Sequence, residues 1–485
     1  MKNTVIGNTL LNILGKIFNY ILQLVLITYL IKTLGVEEYG VFVLAVALIG
    51  NSNLLEAGFG LSSTKYIAEY NAKKDIESIN KVIATNFIIN TFMALFFAFI
   101  LLLINEFYLG TIFKISPVLL YKAKISIRIL IVLSFIEFWV VGFIRVMEGF
   151  QNYFYARLME NIKWFFRFIL IFILFKFEKG LIPVCWAYLF AGIIELFTIW
   201  YISLKLHKEI DMDFRKFDFN ILKINFNFSI WIIISKLSSL IMYRLNTIVL
   251  GIFVETSYIS YYNVASKIYE LLKYGISLLS SAIIPVASEL KAKNEDDKLR
   301  KLFLKSTYYT VVICSPFILF LSFNSSAVIK IWMGEGFEPS FIIASILSFS
   351  LLPVLFSSSG AEIFAGIGKI KDLVVYSLVS SIVGFLLMIY MINHYKLLAV
   401  AWGSFLASFL VSFGYLKCFL KYFGISFFVF LKELIKPLFL IFFLSLIIFL
   451  NRGISFFFFM IPCYFIFSYF VIFHNEDKSL IKSRL

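Results

Sequence analysis

"LITYLIKTLGVEEYGVFVLAVALIG", residues 26–50, sets two apolar runs around a polar knot of eight residues, KTLGVEEY, that holds one glycine and two carboxylates. So short an interval predicts a chain that leaves an apolar medium and re-enters it at once. The run before the knot also carries Lys16, where a lipid-facing helix should carry no charge.

The same pattern extends over the whole chain. Of 485 residues 61% are hydrophobic and 59 are phenylalanine, with a mean hydropathy of +0.93, outside the range of soluble globular proteins. A hydrocarbon core about 30 Å thick takes roughly 20 apolar residues at 1.5 Å each, and backbone groups in lipid must pair within their own segment. The expectation is an all-α polytopic membrane protein. Fourteen spans are predicted, near 8–31, 39–61, 82–104, 125–145, 160–178, 181–204, 227–252, 259–290, 306–330, 341–365, 373–394, 397–416, 437–450 and 454–473. The first is too long for a signal-peptide core, lacks a small-residue cleavage site, and is read as retained.

The net charge of +15 is explained by topology. With a cytoplasmic N-terminus, the inside segments hold roughly three times as many Lys and Arg as the outside ones, so nucleic acid is not needed as a partner. Both termini are then cytoplasmic. The longest inside loops, 65–81, 205–223 and 291–305, read as short interfacial helices, and the longest outside loop is 105–124. None could house a catalytic domain. Cys185, Cys314, Cys418 and Cys463 stand singly, and His207, His394 and His474 lie far apart, so neither a disulfide framework nor a zinc centre is suggested.

The loop 205–226 divides the chain into similar lengths. Sliding the second half by 220 residues lays 15–45 over 235–265, with Lys16 on Lys236 and Ala45 on Ala265. The expected organisation is an N-terminal lobe (1–204, six spans), a cytoplasmic linker (205–226), a C-terminal lobe (227–420, six spans), and 421–485 with two extra helices and a tail.

Polar residues inside the spans fall at helical spacing. Asn8, Asn12, Lys16, Asn19 and Gln23 share one face of the first span; Lys236, Ser239, Tyr243 and Thr247 share one face of the seventh, with Arg244 beside it. In the eighth, Asn263, Lys267, Glu270, Tyr274, Ser277 and Ser281 make a third stripe flanked by Lys273. A charge at mid-bilayer costs about 2.5–3.5 kcal/mol, so these faces must meet protein or water. Two readings stand side by side: paired charges that glue helices, such as Lys267 with Glu270 or Lys236 with Glu56 or Glu137, and a wet wall that takes an anion. Lys16, Lys236, Arg244, Lys267 and Lys273 outnumber the acids on the same helices, which favours the anion for the set. Arg128 and Arg167 are read as snorkelling. Glu56, Glu137 and Glu270 either neutralise lysines or take up a proton or Na⁺. Pro285, Pro316 and Pro353 are candidate hinges.

Other motifs carry less. "DMD" at 211–213 has the form of a glycosyltransferase metal motif but lacks a surrounding domain, and Glu37 and Glu38 suit a polar turn between helix ends. No P-loop occurs.

"LGVEEYGVFVLAVALIG" (34–50) followed by "LEAGFGLSSTKYIAEY" (55–70) resembles the first hairpin of the polysaccharide flippases, the O-antigen and capsule-unit translocases of the multidrug/oligosaccharidyl-lipid/polysaccharide (MOP) superfamily. "LNTIVLGIFVETSYISYYNVASKI" (245–268), "SSAIIPVASELKAKNEDDKLRKLFLKS" (280–306), "VIKIWMGEGFEPS" (328–340) and "AEIFAGIGKIKD" (361–372) follow in the family's order. The resemblance implies two six-helix lobes around a cavity that opens alternately to each side, plus two further helices. It implies a cargo, an oligosaccharide linked through pyrophosphate to undecaprenol in the bacterial cytoplasmic membrane, with a polysaccharide polymerase and assembly proteins as partners. Lys16, Lys236, Arg244, Lys267 and Lys273 suit a pyrophosphate, and Asn12, Asn19, Gln23, Tyr243, Asn263 and Tyr274 suit sugars. No cofactor is expected beyond a coupling Na⁺ or H⁺. Where relatives often place an acid and a base before the seventh span's "LG", this chain has Asn246 and Thr247, with Arg244 displaced. A drug or cation exporter of the same superfamily would need a net acidic cavity, and a polytopic glycosyltransferase a long outer loop.

Overall fold

The computed structural model describes residues 2–50, 52–211, 213–223, 237–450, 461, 462 and 464. Among them there is no strand, and nine helices are long and apolar enough to cross a membrane. The chain divides into two compact units, residues 1–240 with 244–260 and residues 241–243 with 261–485. The first holds α1 (Lys2–Ile49), α2 (Ser52–Ala72), α3 (Ile76–Leu103), α4 (Pro117–Gly149), α5 (Tyr153–Leu174), α6 (Leu181–Leu206), α7 (Leu245–Phe253) and the start of α8 (Thr256–Ser281). The second holds the rest of α8, α9 (Ile283–Ala292), α10 (Asp296–Met333), α11 (Glu338–Phe349), α12 (Leu351–Gly366), α13 (Lys371–Tyr395), α14 (Leu397–Phe423) and α15 (Phe427–Leu450).

The polar knot is a single-residue break. Helix geometry fails at Gly35, whose φ of 81° and ψ of 167° suit only a residue without Cβ. Before it, Asn19 donates to Asn161 at 2.6 Å and Tyr29 stacks on Phe172. After it, Glu38 accepts from the Leu181 amide at 3.0 Å and Phe42 meets Tyr188 edge-on. One arm of α1 thus runs along α5 toward its end, and the other runs along α6 from its start, so the chain reverses at Gly35. Glu38 caps the bare amides at the start of α6 and takes Lys122 at 3.3 Å, the work of a polar turn. Beside this turn Ser260 donates to the Val36 carbonyl, and a Cβ at Gly40 would stand 1.9 Å from the Thr256 carbonyl oxygen.

The 220-residue offset reappears in backbone geometry. Lys74 and Asn294 both have positive φ, 57° and 54°. Around each, three backbone hydrogen bonds match one for one, and the ion pair Glu69–Lys73 is matched by Glu289–Lys293. The break at Gly35 falls on Glu255, between α7 and α8. Later in each repeat the offset is 217, with Gln151 (φ 64°) matched by Gly368 (φ 77°) and the same turn bonds around them.

Helix junctions follow from proline chemistry. Pro285 and Pro353 lack an amide hydrogen and crowd the carbonyl four residues back, at Ser281 and Phe349; α8 ends at Ser281 and α11 at Phe349. Pro316 lies inside α10, whose non-helical residue is Asn324.

Three expectations are corrected. Segments 65–81 and 291–305 are not separate interfacial helices: α2 and α9 run on to Ala72 and Ala292, and α3 and α10 begin at Ile76 and Asp296, because charged residues with good helix propensity extend a helix into water. The outer loop 105–124 is largely helical, with a π-turn at Ile104–Tyr108 and a short helix at Leu109–Ile112 prolonging α3. The linker is docked: Asn80 of α3 donates to the Glu209 carbonyl (3.1 Å) and accepts from the Asp211 amide (2.9 Å), while Thr85 accepts from the Asp218 amide (3.1 Å). In "DMD", Asp211 pairs with Lys216, which holds its carboxyl below the usual range, and Asp213 caps a 3₁₀ turn at the Arg215 amide.

Candidate functional site

Among the described residues of the first unit, four charged side chains form a quartet between α4, α5 and α6. Lys163 and Arg167 sit four apart on α5, one turn from each other on one face. Lys163 Nζ lies 2.9 Å from Glu195 and 3.5 Å from Glu137, and Arg167 lies 3.2 Å from Glu137. Glu195 is 1% exposed. The Arg167 guanidinium also lies over the Tyr188 ring at 4.2 Å and the Trp164 ring at 5.1 Å, so its flat faces meet π-density while its edge meets a carboxylate. Two acids balance two bases, and the net charge is zero. Arg167 is therefore not snorkelling: it is buried at 7% exposure because Glu137 and two rings receive it. Arg128 makes a bidentate pair with Glu106, 2.7 Å at each nitrogen, near the end of α3's extension. Lys163, which the sequence reading overlooked, could have been found from its spacing to Arg167.

Among the cations of the polar stripes, Arg244 ends a π-turn (Leu240–Arg244) and donates at 2.7 Å to the carbonyl of Gly50, between α1 and α2. Lys267 pairs with Glu270 one turn on at 2.6 Å, with Lys267 mostly covered and Glu270 half exposed. Lys273 is exposed on the same helix. Asn19 gives its amide to Asn161, while Gln23, Asn263 and Tyr274 are half-buried. Lys236 lies outside the described residues, as do the side chains of Asn12, Lys16, Glu56 and Tyr243.

Outside the spans, His207 at the end of α6 stacks on Phe150 at 3.8 Å and shares a 2.7 Å hydrogen bond with Asn152. Burial lowers its pKa below the usual 6.5, against the pull of Glu209 at 3.9 Å.

Repeated helical arrays, intramembrane charges and one reversal at a glycine define an all-α polytopic membrane protein. A family model described as "Polysaccharide biosynthesis protein" matches residues 5–291, and the chain belongs to that family. A putative O-antigen transporter of Shigella flexneri is 22% identical over 410 residues, 82% of this chain and 94% of the relative. Among solved structures, an inward-facing multidrug resistance MATE transporter of the MOP superfamily superposes with a TM-score of 0.73 at 18% identity, covering 84% of this chain and 94% of that one. The lipid II flippase MurJ in an inward closed conformation gives 0.71 at 20% identity, covering 95% and 98%. The fold is that of MOP-superfamily transporters.

Proposed function

We propose that the protein is a flippase that moves undecaprenyl-pyrophosphate-linked oligosaccharide units from the inner to the outer leaflet of a bacterial cytoplasmic membrane by alternating access, for surface polysaccharide biosynthesis. The observation that carries this is the likeness to an O-antigen transporter along 94% of that relative's length, joined to membership of the polysaccharide biosynthesis family. It makes no and breaks no covalent bond of the cargo, and it works with both termini cytoplasmic as two six-helix lobes, 1–204 and 227–420, joined by 205–226. A polysaccharide polymerase and assembly proteins are its proposed partners.

The cationic residues Lys16, Lys236, Arg244, Lys267 and Lys273 are assigned to the pyrophosphate, which takes charge-assisted hydrogen bonds from Lys and Arg. Asn12, Asn19, Gln23, Tyr243, Asn263 and Tyr274 are assigned to sugar hydroxyls. A coupling Na⁺ or H⁺ is assigned to Glu56, Glu137 or Glu270. Glu137 and Glu270 already face lysine or arginine, so a coupling ion there must compete with a fixed cation.

Mass spectrometry of polyprenyl-linked glycans, with and without the gene, tests the function. Build-up of the complete repeat unit with loss of surface polysaccharide is expected. A truncated unit would point instead to a missing glycosyltransferase, and an unchanged pool to an exporter of other compounds.

A further inference from the structure

We infer that Arg244 is a substrate-sensing latch on the break in the second span, a step that rests on the flippase reading. In the second span, which follows Gly35, α1 ends at Ile49, Gly50 lies in a turn, and α2 is described from Ser52. Such a break frees carbonyls that an unbroken helix would satisfy four residues on. The Gly50 carbonyl, just past the end of α1, accepts from a side chain of another span, Arg244 Nη1 at 2.7 Å. Among the described residues no carboxylate pairs with Arg244.

Placement makes this bond consequential. Arg244 lies ten residues before Val254, where the seventh span ends, so it sits about 15 Å deep at 1.5 Å per residue, near mid-bilayer. It is nevertheless exposed, ending a π-turn of the kind that recurs at functional sites. Gly50 fits the arrangement, since a Cβ there would stand 2.9 Å from Arg244 Nη1. A guanidinium has five donors and prefers a dianionic oxygen fork to one neutral carbonyl. A pyrophosphate headgroup therefore draws Arg244 off Gly50, the carbonyl loses its cap, and the junction between α1 and α2 loosens. Headgroup recognition is thereby converted into a change in the second span.

Hydrogen exchange of the full-length protein in nanodiscs tests this, with undecaprenyl pyrophosphate as probe and its binding measured separately by thermal shift. In the natural protein, the lipid is expected to speed exchange of amides in 50–58 by on the order of tenfold, the ratio one charge-assisted hydrogen bond supplies. Arg244→Gln should be fast without lipid and unresponsive to it, and Arg244→Lys should lie between. Gly50→Ala, which keeps the cation but displaces it, should be fast without lipid and still bind. Binding of the lipid with exchange at 50–58 unchanged would overturn the latch alone. Failure of the lipid to bind the natural protein would overturn the cargo assignment and the latch with it.

Discussion

Lys163 holds two carboxylates that would otherwise be neighbours without a bridge, and its removal is the sharpest test of what the quartet does. Breaking a buried pair from one side leaves an uncompensated charge and costs about 3–5 kcal/mol, whereas removing both partners is often close to neutral. Lys163→Met is expected to lower the apparent unfolding temperature in detergent strongly, and Lys163→Met with Glu195→Gln to recover most of the loss. If the double variant is no more stable than the single one, the Lys163–Glu195 contact is not what holds α5 to α6. The residue scale is also where sequence reading was least complete. Spacing places Lys163 and Arg167 on one face of a helix, but whether that face meets lipid, water or acids depends on α4 and α6, which are distant in sequence. Glu137 was legible as a residue needing a partner, and its partners were not. The pairing of Lys267 with Glu270 was legible because both lie on one helix, three residues apart.

Helices and their ends were easier to read than charges, because span length, proline and glycine act locally. The turn at Gly35 and the junctions before Pro285 and Pro353 follow from backbone chemistry near those residues. The docking of the linker does not, since it depends on Asn80, Thr85 and Trp139 meeting residues more than seventy positions away. His207 anchors the near end of that linker, against Phe150 and Asn152, with Glu209 the charged group 3.9 Å from its ring. Its lowered pKa fixes the sign of a pH effect. The neutral ring is the form the folded site prefers, so its contribution is fully present above the unfolded value near 6.5 and is lost as pH falls through the lower folded value. Nicking of the segment 208–218 by papain, which acts on both sides of neutrality, should therefore increase as pH is lowered from 7 toward 5. His207→Asn should flatten that dependence; an equally steep rise in the variant would place the titrating group elsewhere.

Across the molecule, the repeat carries the strongest structural argument about topology. Identity between the halves is thin, yet Lys74 and Asn294 share a left-handed conformation, a set of turn bonds and a neighbouring Glu–Lys ion pair at one offset. The proposed six spans per repeat would return the chain to the side on which it started, so that equivalent turns of the two repeats face the same side of the membrane. The sign is proposed from charge: 65–81 and 291–305 are rich in lysine, which assigns them to the cytoplasm. Four positions therefore form a closed test. Single cysteines at Lys74 and Asn294 should be labelled by a membrane-impermeant maleimide only after the cells are opened, and cysteines at Lys114 and Gly334 should be labelled in intact cells. Cys185 and Cys314 are buried and Cys418 is partly covered, so replacing the four native cysteines with serine or alanine is the required background. If Lys74 and Asn294 reported opposite sides, the number of crossings between them would be odd, and the six-span repeat would fail even though the matched turns remained. If both reported the outside, the repeat would stand and the charge rule would be the step in error, which would reverse the direction of transport assigned to the cargo.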